Sequence, residues 1–214
     1  MSTFTDINDI KLYKIKKKDR EKLYSTLLSA FEDYPKLDTV FTQKEKKMAA
    51  LEASIRYYCA YDLRYGAAFS LSSRVEEAVV MVHSDNMRYS LPKHILSGSY
   101  SRGYMAAAGR LSPEERRLRS RLFEEMDSLE EAMDIPLPHI YIDFLGVKKE
   151  LQHQGRGRRL MKEICRYAES RRLPVMLFTN TDSDVRFYES MGFKVIGATS
   201  SDRFGFTNTY LIRF

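Results

Sequence analysis

The chain has 214 residues, 43% hydrophobic and 30% charged, which excludes a disordered polymer and fits one well-filled domain. Its net charge of +6 is spread along the chain; it suits an anionic ligand and is too diffuse to mark a nucleic-acid binder. The two cysteines, Cys59 and Cys165, belong to no ligand-like cluster, no apolar run reaches the ~18 residues of a membrane helix, and the N-terminus lacks a signal-peptide core, so a reduced cytoplasmic setting without metal or membrane is expected.

In chain order, Lys11 to Ile15 reads as a short opening strand. Leu23, Leu27 and Phe31 recur at spacings of four after Asp19 and predict a helix that stops before Pro35. Lys44 to Tyr65 places Met48, Leu51, Ile55, Tyr58 and Leu63 broadly on one side and predicts a longer helix. The stretches AAFSLSS and EEAVVMVHS read as two strands joined in a hairpin near Arg74. Residues 92–109 are rich in small side chains and are expected to be helical in part. Ser112, Pro113 and Glu115 form a helix-start signature, an N-cap serine with a first-turn proline and a glutamate three residues on; that helix should run to about Met133.

The second half alternates. HIYIDFLGV, ending at Val147, is a strand; RRLMKEICRYAESRR, starting at Arg158, is a helix; PVMLFT, starting at Pro174, is a buried strand. SDVRFYESMGF holds a short helix closed by Gly192, and KVIGAT and TNTYLIRF are closing strands. A hairpin followed by alternating strands and helices, without repeat or linker, predicts one mixed α/β domain over residues 1–214.

Strand alternation puts Ile140, Ile142 and Phe144 on one face of HIYIDFLGV and His139, Tyr141, Asp143, Leu145 and Val147 on the other. The second face is either half-solvated or functional; Asp143 favours function because aspartate is disfavoured in strands. The following stretch, LQHQGRGRRL, opens a helix with Gly155 and Gly157. Glycines let backbone N–H groups approach an anion, and a helix N-terminus presents unpaired donors with partial positive charge. Arg156, Arg158 and Arg159 add formal charge, so the stretch is either a solvated basic helix start or a phosphate cradle. It is neither a P-loop nor a Rossmann fingerprint, since GxxxxGK[ST] and a third glycine are missing. The helix buries Leu160, Met161, Ile164 and Ala168 and turns Lys162, Arg166 and Glu169 to solvent. PVMLFT then lies parallel to HIYIDFLGV through this crossover, which leaves a cleft at the helix N-terminus.

Three segments in order resemble the GNAT superfamily of acyl-CoA-dependent N-acetyltransferases. Gln152 to Gly157 fits Q/R-x-x-G-x-G/A, the acyl-CoA pyrophosphate loop; HIYIDFLGV resembles the central strand; SDVRFYESMGFKV resembles the N-x-x-F-Y-x-x-x-G-F segment. Within the superfamily, PHIYIDFLGV and TNTYLIRF resemble the branch that includes puromycin-type acetyltransferases. The resemblance covers residues 138–197 by motif and the first half by element order alone. It implies a central, mostly antiparallel twisted sheet with one parallel pair splayed at the acyl-CoA site and helices on both faces. Residues 1–135 would form the acceptor side and 136–214 the acyl-CoA half.

The resemblance also implies roles. Leu145, Gly146 and Val147 would lend backbone groups to the pantetheine arm of acetyl-CoA, the acyl donor. Gln152, His153 and the N–H groups of Gln154, Gly155, Arg156, Gly157 and Arg158 would hold its pyrophosphate. Tyr188 matches the tyrosine that protonates the departing thiolate; without the resemblance it reads as an aromatic packed beside Phe187. Asp143 stands where several members place a general base or a group that orders water, and Tyr141 is the next candidate on that face. A backbone N–H near Leu145 would stabilise the oxyanion. Asp184 replaces the usual asparagine; it either contacts the pantetheine or caps the short helix, with Asn180 a substitute. Two activities are therefore expected to compete: direct-attack N-acetylation of an amine by a monomer or homodimer, and a CoA-binding module without catalysis. The tyrosines at 57, 58, 61 and 65 either line the acceptor pocket or belong to core and surface.

Overall fold

The computed structural model describes residues 7–87, 90–131, 133 and 135–214. Met1 to Asp6, the start of the segment read for a signal peptide, lie outside the described residues, as do positions 132 and 134 near the expected helix end at Met133.

Seven strands form one sheet: β1 (Tyr13–Lys14), β2 (Ala67–Ser70), β3 (Glu77–His83), β4 (Ile140–Val147), β5 (Val175–Thr179), β6 (Lys194–Ser201) and β7 (Phe206–Arg213). Their spatial order is β1-β2-β3-β4-β5-β7-β6. Every neighbouring pair is antiparallel except β4 and β5. The helices are α1 (Arg20–Ala30), α2 (Lys44–Tyr65), α3 (Leu91–Ser97), α4 (Arg102–Gly109), α5 (Pro113–Glu131), α6 (Arg156–Arg171) and α7 (Asp182–Glu189). This is the expected mixed fold, with a parallel pair inside a mostly antiparallel sheet.

Local signals set the boundaries. Asp19 stands at the start of α1, and α2 spans the predicted Lys44–Tyr65. Residues 92–109 resolve into α3 and α4, separated by Gly98 at φ +79°. The capping box of α5 is present: the Glu115 N–H donates to Ser112 Oγ at 3.1 Å, and the Ser112 N–H donates to Glu115 Oε2 at 2.6 Å. The described helix runs to Glu131, close to the expected end at about Met133.

Two cores sandwich the sheet. On one face Ile140, Ile142, Val79 and Met81 pack under Leu160, Ile164 and Ala168 of α6. On the other, Val80 and Ala78 pack with Leu23 and Leu27 of α1 and Leu51 and Ile55 of α2. Cys59 and Cys165 are buried free thiols, one in each core.

The alternation expected for β4 fails at one residue. Ile142 pairs with Met81 and Phe144 with Val80, so Asp143 is an extra residue with no partner on β3. This β-bulge shifts the phase of the strand from Phe144 onward. Phe144 moves to the α1–α2 core, where its ring meets Phe31 edge-on at 5.9 Å, and Leu145 joins Ile140 and Ile142 on the α6 side. Gly146 then faces α1. A Cβ there would lie 2.9 Å from Ala30 Cβ and from Leu27 Cδ2, so only glycine fits beneath that helix.

Candidate active site

The parallel pairing of β4 with β5 is short. It joins Ile140 to Val175 and Tyr141 to Met176, and stops there. Beyond Tyr141 the strands part, and the edge of β4 that faced β5 no longer pairs with it. Side chains from α1, α2, α5, α6 and α7 close over the gap and leave a cleft of about 930 Å³. That volume is at the upper end of the range usual for small-molecule sites.

The α6 N-terminus forms one end. Gly155 is the residue before the helix and adopts φ +73°, the left-handed region that favours glycine, and among the described residues no side chain caps the helix. His153 is also left-handed, at φ +59°, which is strained for a residue with a side chain. Gly157 has no close neighbour to forbid a side chain: a Cβ would meet Val147, Leu145 and Phe187 at ordinary contact distances of 3.7–3.9 Å. The space it leaves open belongs to the cleft. The first N–H groups of α6 thus face a cavity free of side-chain caps, a fit for a phosphate-bearing ligand.

The arginines have other partners. Arg156 donates from Nη1 to Glu77 Oε2 at 2.5 Å and to Glu76 Oε2 at 3.4 Å. Glu77 is buried on β3; burial opposes its charge, but Arg156, Ser70 and the Leu71 N–H overcome that and lower its pKa. Arg156 therefore ties the loop to β3. Arg158 reaches Ser190 Oγ at 2.6 Å and covers the Phe187 ring, joining α6 to α7. Gln152 donates from Nε2 to the Val147 carbonyl at 3.1 Å, which pins the loop to the end of β4.

Tyr188 lies on α7, 8% exposed, with its ring edge-on to Phe187 and Phe193. It lines the cleft. Burial, then the nearby Asp184 and Tyr34, raise its pKa, so the phenol stays protonated. The cleft brings together Asp143, Leu145, Gly146, Val147, Gln152 and His153. It also holds Gly155, Arg156, Gly157, Arg158, Asp184 and Tyr188; of the residues assigned from sequence, Gln154 stands outside the lining.

Residues 122–195, from within α5 to the start of β6, match the family model for an acetyltransferase (GNAT) domain. That segment is similar to a GNAT acetyltransferase domain. No curated protein matches the chain in sequence. Solved structures share the fold at low identity. One, described as histone acetyltransferase HPA2 and related acetyltransferase from Corynebacterium glutamicum, is 16% identical over 94% of this chain and 93% of its own, with a TM-score of 0.59. An N-acetyltransferase from Staphylococcus aureus is 16% identical over 94% and 99%, with a TM-score of 0.54. A mutant of agmatine N-acetyltransferase is 16% identical over 96% and 99%, with a TM-score of 0.56.

Within the segment that matches the GNAT model, the departure at Asp184 has a local explanation. Thr181 caps α7 by accepting the Asp184 N–H at 3.2 Å. Asp184 Oδ2 in turn accepts from the hydroxyls of Thr181 at 2.7 Å and Thr179 at 3.0 Å. Two hydroxyl donors suit a carboxylate, which only accepts. Asn180 is held by Tyr34, Thr207 and Asn208.

The far end of the cleft holds titratable groups that periodicity could not bring together. Glu130 of α5 accepts the Tyr141 hydroxyl at 3.1 Å, while its Oε1 is buried without a donor among the described residues. Burial lifts its pKa to about 7. Lys36 is 8% exposed, lies over the Phe178 and Phe206 rings and donates to Asn208 Oδ1 at 3.1 Å. Burial lowers its pKa to about 7, with Glu130 and Asp127 opposing. Asp143 is raised by burial, and its Oδ2 is shielded from water without a donor among the described residues. Of the four tyrosines of α2, Tyr58 lines the cleft, whereas Tyr61 is fully buried and donates to the Asn86 carbonyl at 2.7 Å.

Proposed function

We propose that the protein is an acetyl-CoA-dependent N-acetyltransferase that acetylates a primary amine of a small molecule or peptide by direct attack. One observation carries the reading: a single cleft between diverging β4 and β5 contains an uncapped helix N-terminus, a buried protonated phenol and a carboxyl group. The first N–H groups of α6 would hold the pyrophosphate, and the open edge of β4 from Leu145 to Val147 would pair with the amides of the pantetheine arm. Bound acetyl-CoA supplies an activated thioester. Asp143 takes a proton from the incoming ammonium, Tyr188 gives one to the leaving sulfur, and the second proton shed by the attacking nitrogen restores the phenol. Asp127, Glu130 and Asp143 give the inner cleft an acidic character that favours entry of a cation.

The chain behaves as one unit in this reading, with residues 1–135 supplying the acceptor side. Asp184, the departure that would favour a CoA-binding module without catalysis, is accounted for by its threonine partners. The test is thiol release from acetyl-CoA against aminoglycosides, puromycin-like nucleosides, polyamines, amino acids and peptides. Release with at least one amine, lost in Asp143→Asn, is expected. Tight acetyl-CoA binding without release across the panel would establish the binding module instead.

A further inference from the structure

Asp62 sits in the last turn of α2 and is fully buried, yet neither of its carboxyl oxygens has a hydrogen-bond donor among the described residues. Its carboxyl group lies within hydrogen-bonding reach of that of Asp143, whose own Oδ2 is buried without a donor. We propose that Asp62 is a positioning residue for acetyl transfer: it carries a proton, shares it with Asp143 through a hydrogen bond, and so holds Asp143 ionised and facing the cleft. This rests on the reading of Asp143 as the base.

The argument is one of charge and burial. Two ionised carboxylates in contact, removed from water and without donors, repel each other strongly, so the pair holds one proton. Asp62 is walled off from solvent, whereas Asp143 lines the cleft, where water and the incoming ammonium arrive. The proton therefore resides on Asp62 and the charge on Asp143. Burial pushes the Asp62 carboxyl well above the usual range and the charge of Asp143 pushes it further; burial raises Asp143 as well, and the hydrogen bond from Asp62 pulls it back.

Among the described residues, no cation acts on the pair. From α2, Tyr58 and Cys59 face Asp143, and burial raises both, keeping them neutral. From α5, Glu130 adds a second acid, and Lys36 faces that glutamate. A hydrogen-bonded proton is what remains to stabilise the Asp143 charge. During transfer the pair passes from one negative charge to none as Asp143 takes the substrate proton. It returns when Asp143 releases that proton to solvent through the cleft; the Asp62 proton stays in place.

Two substitutions separate this role from simple packing. Asp62→Leu removes the donor, and should move the acid limb of kcat/KM upward by at least about one pH unit, lower kcat at pH 7 by about 10-fold or more, and leave the KM for acetyl-CoA unchanged. Asp62→Asn keeps an N–H donor and should retain kcat within about 3-fold of wild type. An acid limb unmoved by leucine, or asparagine as damaging as leucine, would overturn the proposal. Infrared spectroscopy at pH 7 of Glu130→Gln, which removes the half-protonated glutamate, should show the carbonyl stretch of a protonated carboxylic acid, and adding Asp62→Asn should remove it. A band unaffected by Asp62→Asn would overturn the proton assignment whatever the turnover. Failure of the wild-type protein to acetylate any amine would count against the base reading alone, with the infrared result still deciding where the proton sits.

Discussion

Replacing Gly157 by leucine should push stability and ligand binding in opposite directions. Gly157 has a helical backbone in the first turn of α6, and a Cβ there meets neighbours at 3.7–3.9 Å, so the fold accommodates it without displacement. Leucine is a better helix former than glycine by up to ~0.8 kcal/mol. At ~2–4 °C per kcal/mol for a chain of this size, Tm should rise by up to about 3 °C. The rest of the side chain must extend into the cleft, in front of the N–H groups assigned to the pyrophosphate. Losing two charge-assisted hydrogen bonds at ~1.5–3 kcal/mol each weakens acetyl-CoA by at least about 100-fold. Gly157→Ala is the control, since the loop pattern accepts alanine, and should keep affinity near wild type. Titration calorimetry with acetyl-CoA and a thermal melt on each variant decide the matter. Unchanged Kd in Gly157→Leu, with the rise in Tm, would refute the phosphate-cradle assignment.

The same geometry sets the outcome of other substitutions. Tyr188→Phe keeps the ring against Phe187 and Phe193 and should lower kcat by ~10²–10⁴-fold with acetyl-CoA affinity unchanged; full turnover in steady-state assays would remove the tyrosine from the reaction. Arg156→Met strands the buried Glu77 with only Ser70 and the Leu71 N–H, and should cost about 3 kcal/mol in urea denaturation, whereas Arg158→Ala, which strands no buried charge, should cost less. Lys36 has a folded pKa of about 7, below its unfolded value of 10.5, so the unfolded chain binds more protons between these values and stability should rise with pH across that window. The slope attributable to this lysine is at most ~1.4 kcal/mol per pH unit, and Lys36→Met should remove it; equal slopes in the two proteins over about pH 7 to 9.5 would contradict the burial of a charge there.

Much of this arrangement is written in short-range signals. Ser112 and Glu115 announce α5, Gly192 closes α7, and the periodicity from Lys44 to Tyr65 marks α2, because each depends on neighbours a few residues away. The phosphate loop and Tyr188 are legible for the same reason: each motif is contiguous, and the order strand, glycines, helix fixes which end of the sheet it occupies. The bulge at Asp143 is not legible, since it is a property of pairing with β3 and nothing in HIYIDFLGV marks it. Strict alternation therefore assigns Phe144, Leu145 and Val147 to the wrong faces. Asp62 reads as an ordinary charge near a helix end because its burial depends on a strand about eighty positions away. Lys36 and Glu130 escape for the same reason: a lysine beside a proline and a glutamate in an acidic helix look solvated until tertiary packing brings them together. Arg156 is legible as a charge in the loop, whereas its glutamate partners on β3 come from another hairpin.

The extra residue in β4 makes the length of that strand a counted quantity. Deleting Asp143 itself would only remove the bulge, whereas deleting Phe144 or Leu145 behind it would turn the residues that follow over to the opposite face. Val147 would then be driven under α1, into the place of Gly146, where even a single added carbon comes within 2.9 Å of Ala30 and Leu27. The cleft wall and the seat of α1 thus share one frame, and neither can be re-registered alone. Insertions in the turns flanking the strand leave that frame intact, whereas loss of Phe144 or Leu145, between the bulge and Gly146, would unseat the helix and the cleft together.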